Sequence, residues 1–234
     1  MVNAASLAGP IAPGMLVSIF GSSLGPRVLA SSYDTAGMYP FEWGHTKVTF
    51  NGIPAPVLYV SPGRVNAVVL FALSGQTSAQ MVVSHYTDAQ SSPPFSVPVA
   101  ETGLAVFTSP QDGSGPGGIL VYPGGGLNSA DNPAAPGGVI TLFFTGAGVR
   151  EETFPDGSIA ITAQGRRPLS FPASLTIGGK AARVVYAGPT LYASAGHLQV
   201  NAELPEGLPS GQQPLVLKIG EADNAEQRTS IFIQ

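Results

Sequence analysis

The sequence predicts an all-β protein built from two tandem antiparallel β-sandwiches, and three observations support this prediction. First, the 234 residues include 30 glycines and 22 prolines, which favour many turns between short extended segments. Second, short apolar runs rich in β-branched and aromatic residues recur along the chain, and they show no clear helical period. Third, the second half of the chain repeats the pattern of the first half.

The repeat is most evident in two stretches that share turn residues and an ending. Residues 50–71 read FNGIPAPVLYVSPGRVNAVVLF, and residues 177–204 read IGGKAARVVYAGPTLYASAGHLQVNAEL. Both place a small turn pair after a strand-like run, continue to a tyrosine and close on Val-Asn-Ala. A second pair, residues 2–25 and 127–148, shares an asparagine, an Ala-Pro-Gly turn and an apolar run. An offset of roughly 125 to 135 residues is too long for a solenoid unit and indicates two homologous domains.

Each repeat is predicted to contain about six strands separated by Gly, Pro and Asn turns, which favours a small antiparallel sandwich. The predicted strands of the first repeat cover residues 15–20, 46–50, 55–60, 65–70, 80–86 and 95–100. Those of the second repeat cover residues 139–144, 173–177, 182–187, 198–203, 214–219 and 229–233. Asn51-Gly52 is typical of a two-residue hairpin turn because both positions accept a positive φ, and Gly178-Gly179 predicts the same turn.

The predicted domains cover residues 1–108 and residues 109–234. The second domain has a further predicted strand at residues 119–122, before its asparagine segment, whereas the first begins at Val2 with nothing equivalent before it. We therefore expect the chain to start part-way into a repeat.

Composition argues against several classes of protein and partner. Charged residues make up only 10% of the chain, and its formal net charge is −4. The ten basic residues form no stripe along the sequence, so a nucleic-acid partner is not expected. The chain has no cysteine, which excludes disulfides, thiolate metal sites and cysteine nucleophiles. No apolar run reaches about 18 residues, so we expect no membrane insertion.

Four segments carry a resemblance to a known family. They are VNAASLAGPIAPGMLVSIFGSSLG (2–25), VTFNGIPAPVLYVSPGRVNAVV (48–69), LNSADNPAAPG (127–137) and GLPSGQQPLVLKIG (207–220). Together they resemble the Solibacter-type domain, an uncharacterised C-terminal domain of large secreted acidobacterial proteins. Each half separately is similar to an IPT/TIG domain, which implies a fold of two tandem immunoglobulin-like (E-set/TIG-type) antiparallel β-sandwiches. The resemblance supplies no catalytic residue.

The segment 31–46, SSYDTAGMYPFEWGHT, has no counterpart in the second half and concentrates aromatic residues in a chain that is 8% aromatic. It carries Tyr33, Tyr39, Phe41 and the only tryptophan, Trp43. One interpretation is a stacking surface for a sugar, a peptide or another domain, with Asp34, Glu42 and His45 as flanking polar contacts. The other is a structural loop that caps the sandwich or fills the groove between the halves, because large aromatic side chains are usually buried.

Candidate metal ligands are sparse. The histidines His45, His85 and His197 show no metal-binding spacing, so a metal site would need residues distant in sequence. His45 and His197 are the histidine candidates for such a site. Asp131 and Asp223 each precede an asparagine, a pattern that suits either a calcium loop or a simple turn. No cofactor is expected, and calcium is left open at these aspartates.

One serine fits a catalytic spacing. The stretch FGSSLG places Ser23 between two glycines, as in a nucleophile elbow. A predicted strand precedes it, but Pro26 and the short run that follows make a poor helix, so we interpret the stretch as a turn at a strand end. No catalytic residue is therefore predicted.

We expect a non-catalytic structural or interaction module of a secreted or cell-surface bacterial protein. Its expected partners are other domains of a larger parent protein or an extracellular glycan. One alternative is a carbohydrate-binding module that uses loop 31–46, and another is a hydrolase in the cleft between the domains, either with or without metal assistance through His45 or His197. The N-terminal residues lack a charged region followed by a long apolar stretch, so we expect no signal peptide within this chain.

Overall fold

The computed structural model of the protein describes residues 1–27, 29–86, 90–109, 111–149, 154–160 and 168–234. Within these ranges the chain forms twenty β-strands, short 3-10 helices at Phe71–Leu73 and Ala225–Gln227, and no α-helix. The predicted all-β fold is confirmed. Across the same ranges, no helix has the length and apolar character needed to cross a membrane.

The strands are distributed evenly between the two halves of the chain. The first half contains β1 (Val2–Asn3), β2 (Leu16–Phe20), β3 (Leu29–Ala30), β4 (Thr46–Phe50), β5 (Ile53–Ala55), β6 (Val57–Val60), β7 (Arg64–Val68), β8 (Ser78–His85), β9 (Gln90–Ser91) and β10 (Phe95–Pro98). The second half contains β11 (Ala105–Val106), β12 (Gly115–Pro116), β13 (Ile119–Tyr122), β14 (Val139–Thr145), β15 (Ala173–Ile177), β16 (Lys180–Pro189), β17 (Leu198–Glu203), β18 (Gly211–Ile219), β19 (Ala222–Asp223) and β20 (Thr229–Ile233). The further strand predicted at residues 119–122 is present as β13.

The strands of the first half form two sheets that enclose one hydrophobic core. One sheet has the order β1-β2-β7-β6-β3, and the other has the order β10-β8-β4-β5 with β9 paired to β8. Buried side chains from both sheets belong to the same cluster, for example Val17 on β2, Val65 on β7 and Phe50 on β4. Two sheets that bury alternate residues against each other make a β-sandwich.

The strands of the second half form one long sheet around a second core. Its order is β11-β14-β17-β16-β15-β18-β20-β12, with β13 paired to β14 and β19 paired to β18. Strand β16 pairs with β15 along its first residues and with β17 along the rest, and β18 likewise joins β20 to β15. These pairings are antiparallel, whereas β12 and β20 run parallel. Leu142 on β14, Leu175 on β15 and Ile231 on β20 share one buried cluster, so the sheet folds around a single core.

The tyrosines and asparagines that repeat in the sequence occupy matching positions in the two halves. Tyr59 pairs with Asn66 directly after a break in the register of β6. Tyr186 pairs with Asn201 directly after a break in the register of β16. Such a break is a β-bulge, which bends a strand and increases its twist.

Each of these asparagines also accepts a hydrogen bond from a hydroxyl on the neighbouring strand. The Ser18 hydroxyl on β2 donates to Asn66 Oδ1 at 3.2 Å, and the Thr141 hydroxyl on β14 donates to Asn201 Oδ1 at 2.9 Å. The Val-Asn-Ala repeat therefore corresponds to the same cross-strand hydrogen bond in both halves.

The two predicted hairpin turns are confirmed. Asn51 and Gly52 have φ angles of 50° and 81° between β4 and β5. Gly178 and Gly179 have φ angles of 55° and 79° between β15 and β16. Two successive residues with positive φ match the right-handed twist of the flanking strands.

The predicted strand 55–60 is wrong in one respect, because the segment forms two strands rather than one. Pro56 separates β5, which pairs with β4, from β6, which pairs with β7 in the other sheet. Proline has no backbone N–H and so cannot continue the hydrogen-bond ladder of a sheet. Arg183 is the equivalent residue of the second half, where β16 continues without interruption.

The two halves contact each other through a buried junction. The backbone N–H of Leu16 donates to the hydroxyl of Thr145 at 2.9 Å, and this hydroxyl donates to the carbonyl of Gly196 at 2.8 Å. A Cβ atom at Gly196 would overlap the carbonyl oxygen of Gly14, so the close approach of the two backbones requires glycine there. Strands β2 and β14 therefore meet at this junction.

Candidate functional site

Aromatic side chains of segment 31–46 line one open pocket of about 460 Å³, the aromatic pocket. Its lining residues are Ser32, Tyr33, Asp34, Met38, Tyr39, Pro40, Phe41 and Trp43. All four aromatic residues singled out in the sequence are therefore brought together. A concave, largely apolar surface with a few polar groups is the usual form of a ligand site.

The middle of the segment is bonded to the second half of the chain. The N–H of Tyr39 donates to the carbonyl of Gly157 at 2.8 Å, and the N–H of Ile159 donates to the carbonyl of Gly37 at 3.0 Å. The segment thus contributes to the contact between the halves while its rings line the pocket. Both interpretations of the segment are compatible with this arrangement.

Asp34 fixes the backbone at the start of the pocket. Its Oδ1 atom accepts hydrogen bonds from the N–H groups of Ala36 at 2.9 Å and of Met38 at 3.0 Å. The N–H of Gly37 donates to the Asp34 carbonyl at 3.0 Å. This is the turn geometry that aspartate favours, and it holds Tyr33 and Tyr39 on either side of a defined loop.

A second turn fixes the backbone at the other end of the pocket. Trp43 and Thr46 exchange both backbone hydrogen bonds, at 3.0 and 2.9 Å. The two residues between them, Gly44 and His45, have φ angles of 55° and 59°. Trp43 therefore stands at the base of a tight hairpin that leads into β4.

The rings of the pocket differ in their exposure. Tyr33 and Tyr39 are in edge-to-face contact, with centroids 6.0 Å apart and planes at 79°. Tyr33 remains 39% exposed and Phe41 remains 38% exposed, so both rings offer surface to a partner. Exposed large aromatic side chains held on a fixed backbone can bind with little loss of conformational entropy.

Trp43 is less exposed than Tyr33 and Phe41. It is partly buried and packs against the core of the first half. Its indole nitrogen is buried and has no hydrogen-bond partner among the described residues. A buried N–H without an acceptor lowers the stability of the folded state. The indole ring, packed against the core, forms the floor of the pocket.

Burial also affects the phenol of Tyr39. Desolvation raises the pKa of Tyr39 above its usual value, and the neighbouring phenol of Tyr33 raises it further. The Tyr39 hydroxyl therefore stays protonated at neutral pH and is available as a hydrogen-bond donor in the aromatic pocket.

Glu42 and His45, the polar residues predicted to flank the site, lie outside the lining of the pocket. A Glu42 carboxylate oxygen lies 3.7 Å from the ammonium group of Lys47. A hydrogen bond to Tyr86 raises the pKa of Lys47, and Glu42 contributes a smaller effect in the same direction. The His45 side chain is exposed on the Gly44-His45 turn. Direct contact of Glu42 or His45 with a ligand stays a prediction.

The candidate metal ligands are dispersed over the molecule. His45 lies beside the aromatic pocket, whereas His197 lies in a different cavity between the halves. Asp131 is exposed, and Asp223 is exposed with its Oδ1 accepting the N–H of Ala225 at 3.0 Å, as in a turn. Across the described ranges, no three His, Asp or Glu side chains are grouped to hold a metal ion.

Ser23 has a left-handed φ of 55° and shares a small cavity of about 250 Å³ with His85. The Nδ1 atom of His85 lies 3.2 Å from the Thr46 hydroxyl. The segment after Ser23 leads to the short strand β3, and no helix follows it in the described part of the chain. The strand–turn–helix arrangement of a nucleophile elbow is therefore missing.

No sequence pattern indicates the residues that hold the pocket against the second half. Gly157 follows an aspartate, which suggests a turn, but nothing in its spacing points to Tyr39. Neither a protein-family model nor a curated protein sequence matches the chain.

Proposed function

We propose that this chain is a non-catalytic interaction module of a secreted or cell-surface bacterial protein, and that the aromatic pocket is its contact surface. The observation that carries the proposal is the convergence of four aromatic rings on one open pocket. Another domain of a larger parent protein or an extracellular glycan is the partner we favour.

The rigidity of the pocket supports a binding role. Asp34 fixes the backbone at one end, the hairpin at Trp43 fixes it at the other, and Tyr39 is bonded to Gly157 between them. A preorganised site avoids the entropy cost of ordering a loop on binding. Tyr33 and Phe41 remain exposed on this fixed backbone, so both rings are accessible to a partner.

We further propose that each half is an immunoglobulin-like sandwich of the E-set/TIG type. Two features support this proposal: the antiparallel sheets around one core in each half, and the matching bulge and Asn–hydroxyl pair. The resemblance to IPT/TIG and Solibacter-type domains also underlies the proposed extracellular location. Fold alone assigns no activity, so the function rests on the pocket.

Carbohydrate binding is the second candidate, and it is favoured by the mixed lining of the pocket. The exposed rings of Tyr33 and Phe41 offer apolar faces, while the Tyr39 hydroxyl and the Ser32 side chain lie in the same lining as polar groups. A sugar presents an apolar ring face, which can pack on the aromatic rings, and hydroxyl groups, which can bond to the polar groups of the pocket. The metal-assisted form of the hydrolase alternative receives no comparable support, because among the described residues no metal-binding group converges on His45 or His197.

A pull-down on insoluble polysaccharides tests the carbohydrate candidate. The wild-type protein should be retained by at least one polysaccharide, and the double variant Tyr33→Ala, Phe41→Ala should pass through. Phe95→Ala is the matched control, because Phe95 on β10 is 57% exposed and lies outside the aromatic pocket. Equal retention of the wild-type protein and the double variant would contradict carbohydrate binding at this pocket.

A further inference from the structure

A second cavity, of about 510 Å³, lies between the two halves and shares no lining residue with the aromatic pocket. We call it the junction cleft. Leu16, which is bonded to Thr145 at the buried junction, lies in its lining. The cleft therefore lies next to the contact between β2 and β14.

The lining of the junction cleft is chemically mixed. The first half contributes apolar residues and a polar cluster on β2 and β7, the polar wall, which consists of Ser18, Arg64 and Asn66. The second half contributes polar residues and an apolar cluster, the apolar wall, which includes Phe107, Leu120 and Phe143. A cavity with both a polar and an apolar cluster suits a ligand with two chemically different ends.

Arg64 supplies the positive charge of the polar wall. Its guanidinium carbon lies 4.7 Å from the ring centroid of Tyr59, which orients the group by a cation–π contact. Within the described chain, no carboxylate is paired with Arg64. Its fork of N–H donors is therefore available to an anionic group from outside.

Asn66 adds a donor next to this charge. Its Oδ1 atom is already occupied by the hydroxyl of Ser18 at 3.2 Å, and among the described residues no acceptor is bonded to its Nδ2 atom. An amide nitrogen left over in this way can donate to an oxygen of a bound anion.

His197 adds an uncharged aromatic surface to the apolar wall. Its ring stacks on Phe107 at a centroid distance of 5.2 Å and contacts Phe143 at 5.3 Å. Burial lowers the pKa of His197 to about 4, so the imidazole is neutral at physiological pH. Its Nδ1 atom lies 3.0 Å from the Thr190 hydroxyl, which fixes the ring against the wall.

We propose that the junction cleft binds a small organic anion with an apolar body, such as a medium-chain or aromatic carboxylate. The anionic group contacts Arg64 and Asn66, and the apolar body packs against Phe107, Leu120 and Phe143. This site is independent of the function proposed for the aromatic pocket.

Fluorescence titration with anilinonaphthalene sulfonate, an apolar anion, tests the proposal. The native protein should bind the dye saturably at one site. Octanoate should displace the dye at a concentration about tenfold or more below that of the neutral octanol, because a hydrogen bond to a charged group raises binding affinity by at least this factor. Equal displacement by octanol and octanoate, or no saturable dye binding, would overturn the proposal.

Variants separate the junction cleft from other sites. Arg64→Gln should weaken binding of the dye by about tenfold or more, and Leu120→Glu should do the same by repelling the anion from the apolar wall. Arg183→Gln is the matched control because Arg183 is exposed and paired with Glu203. Phe41→Ala should leave the dye affinity unchanged, since Phe41 belongs to the aromatic pocket. Unchanged affinity in folded Arg64→Gln and Leu120→Glu, or loss of binding in Phe41→Ala, would overturn the assignment.

Discussion

The backbone N–H of Leu16 donates a hydrogen bond of 2.9 Å to the hydroxyl of Thr145, and this bond joins β2 of the first half to β14 of the second half. Thr145 is completely buried, and its hydroxyl also donates to Gly196. One side chain therefore satisfies two backbone groups that water does not reach. The two halves are coupled through a polar contact as well as through packing.

Replacing Thr145 with valine should reduce the free energy of unfolding by about 2–3 kcal/mol. Valine has nearly the same shape but leaves the Leu16 N–H and the Gly196 carbonyl without partners, and buried unpaired polar groups are costly. Urea unfolding measures the effect. Thr176→Val on β15 is the control, because no side-chain hydrogen bond of Thr176 is present among the described residues, and it should change stability little. Equal stabilities of Thr145→Val and the wild-type protein would show that the bond is unimportant.

Asp156→Asn should stabilise the protein at pH 7. Desolvation raises the pKa of the Asp156 carboxyl, and the hydrogen bond from the Phe71 N–H at 3.0 Å offsets this only in part. A raised pKa in the folded state means that the folded protein holds the proton more tightly than the unfolded chain does. This contribution to stability is complete below the unfolded pKa and is lost as the pH rises through the folded pKa.

The asparagine variant imitates the protonated acid at every pH. The free energy of unfolding of the variant should therefore exceed that of the wild-type protein at pH 7, and the difference should vanish at about pH 3.5. Urea unfolding at both pH values measures this difference, and the exposed Asp131→Asn serves as the control. A variant less stable than the wild-type protein at pH 7 would contradict the raised pKa.

His197→Gln should reduce the sensitivity of the protein to acid. The pKa of His197 is lowered to about 4 by burial, so the folded state binds the proton less tightly than the unfolded chain, whose histidine has a pKa of about 6.5. The contribution of neutral His197 to the free energy of unfolding is therefore fully present above the unfolded pKa and is lost as the pH falls through the folded pKa. Protonation of His197 should reduce the free energy of unfolding by about 3 kcal/mol, because each tenfold change in proton affinity corresponds to about 1.4 kcal/mol.

Unfolding free energies at pH 7 and about pH 4, compared between the wild-type protein and His197→Gln, isolate this contribution. The exposed His45→Gln provides a reference for a histidine outside the junction cleft. An identical decrease in wild-type protein and His197→Gln would show that His197 is protonated normally in the folded state.

Gly52→Val should destabilise the first half by about 1–3 kcal/mol. Gly52 has a φ of 81°, which a β-branched residue adopts only with strain, although a Cβ atom there would meet no neighbour within 4 Å. The cost is thus conformational rather than steric. Thermal unfolding measures it, and Ile53→Val, at an exposed position of β5, controls for surface β-propensity. An unchanged melting temperature would contradict the strain argument.

Local sequence features predicted most of the fold. The Asn51-Gly52 pair specifies its own backbone conformation, and strands such as Thr46–Phe50 and Leu198–Glu203 carry an alternation that marks them without help from distant residues. The two-residue strands, including Leu29–Ala30, were not predicted because so short a segment has no periodicity. Their existence depends on a partner strand that only the folded chain supplies.

The candidate site was predictable only in part. The density of aromatics in segment 31–46 indicated where to look, and the four rings do converge. The bond between Tyr39 and Gly157 joins residues more than a hundred positions apart, and one sequence contains no signal for such a pairing. The cleft between the halves was expected only as an alternative hydrolase site, and its pairing of Arg64 with Phe143 was not predicted, because these residues lie on different halves and line one cavity only when the halves meet.

The most direct test of the proposed function uses the emission of Trp43, the only tryptophan, at the floor of the aromatic pocket. The emission should be recorded in the native protein and during titration with soluble polysaccharides, with and without calcium. The proposal predicts a partly shielded emission that shifts saturably with at least one glycan, a response that Phe41→Ala abolishes and Phe95→Ala preserves. An emission that no glycan shifts, or a shift that persists unchanged in Phe41→Ala, would contradict glycan binding at the aromatic pocket.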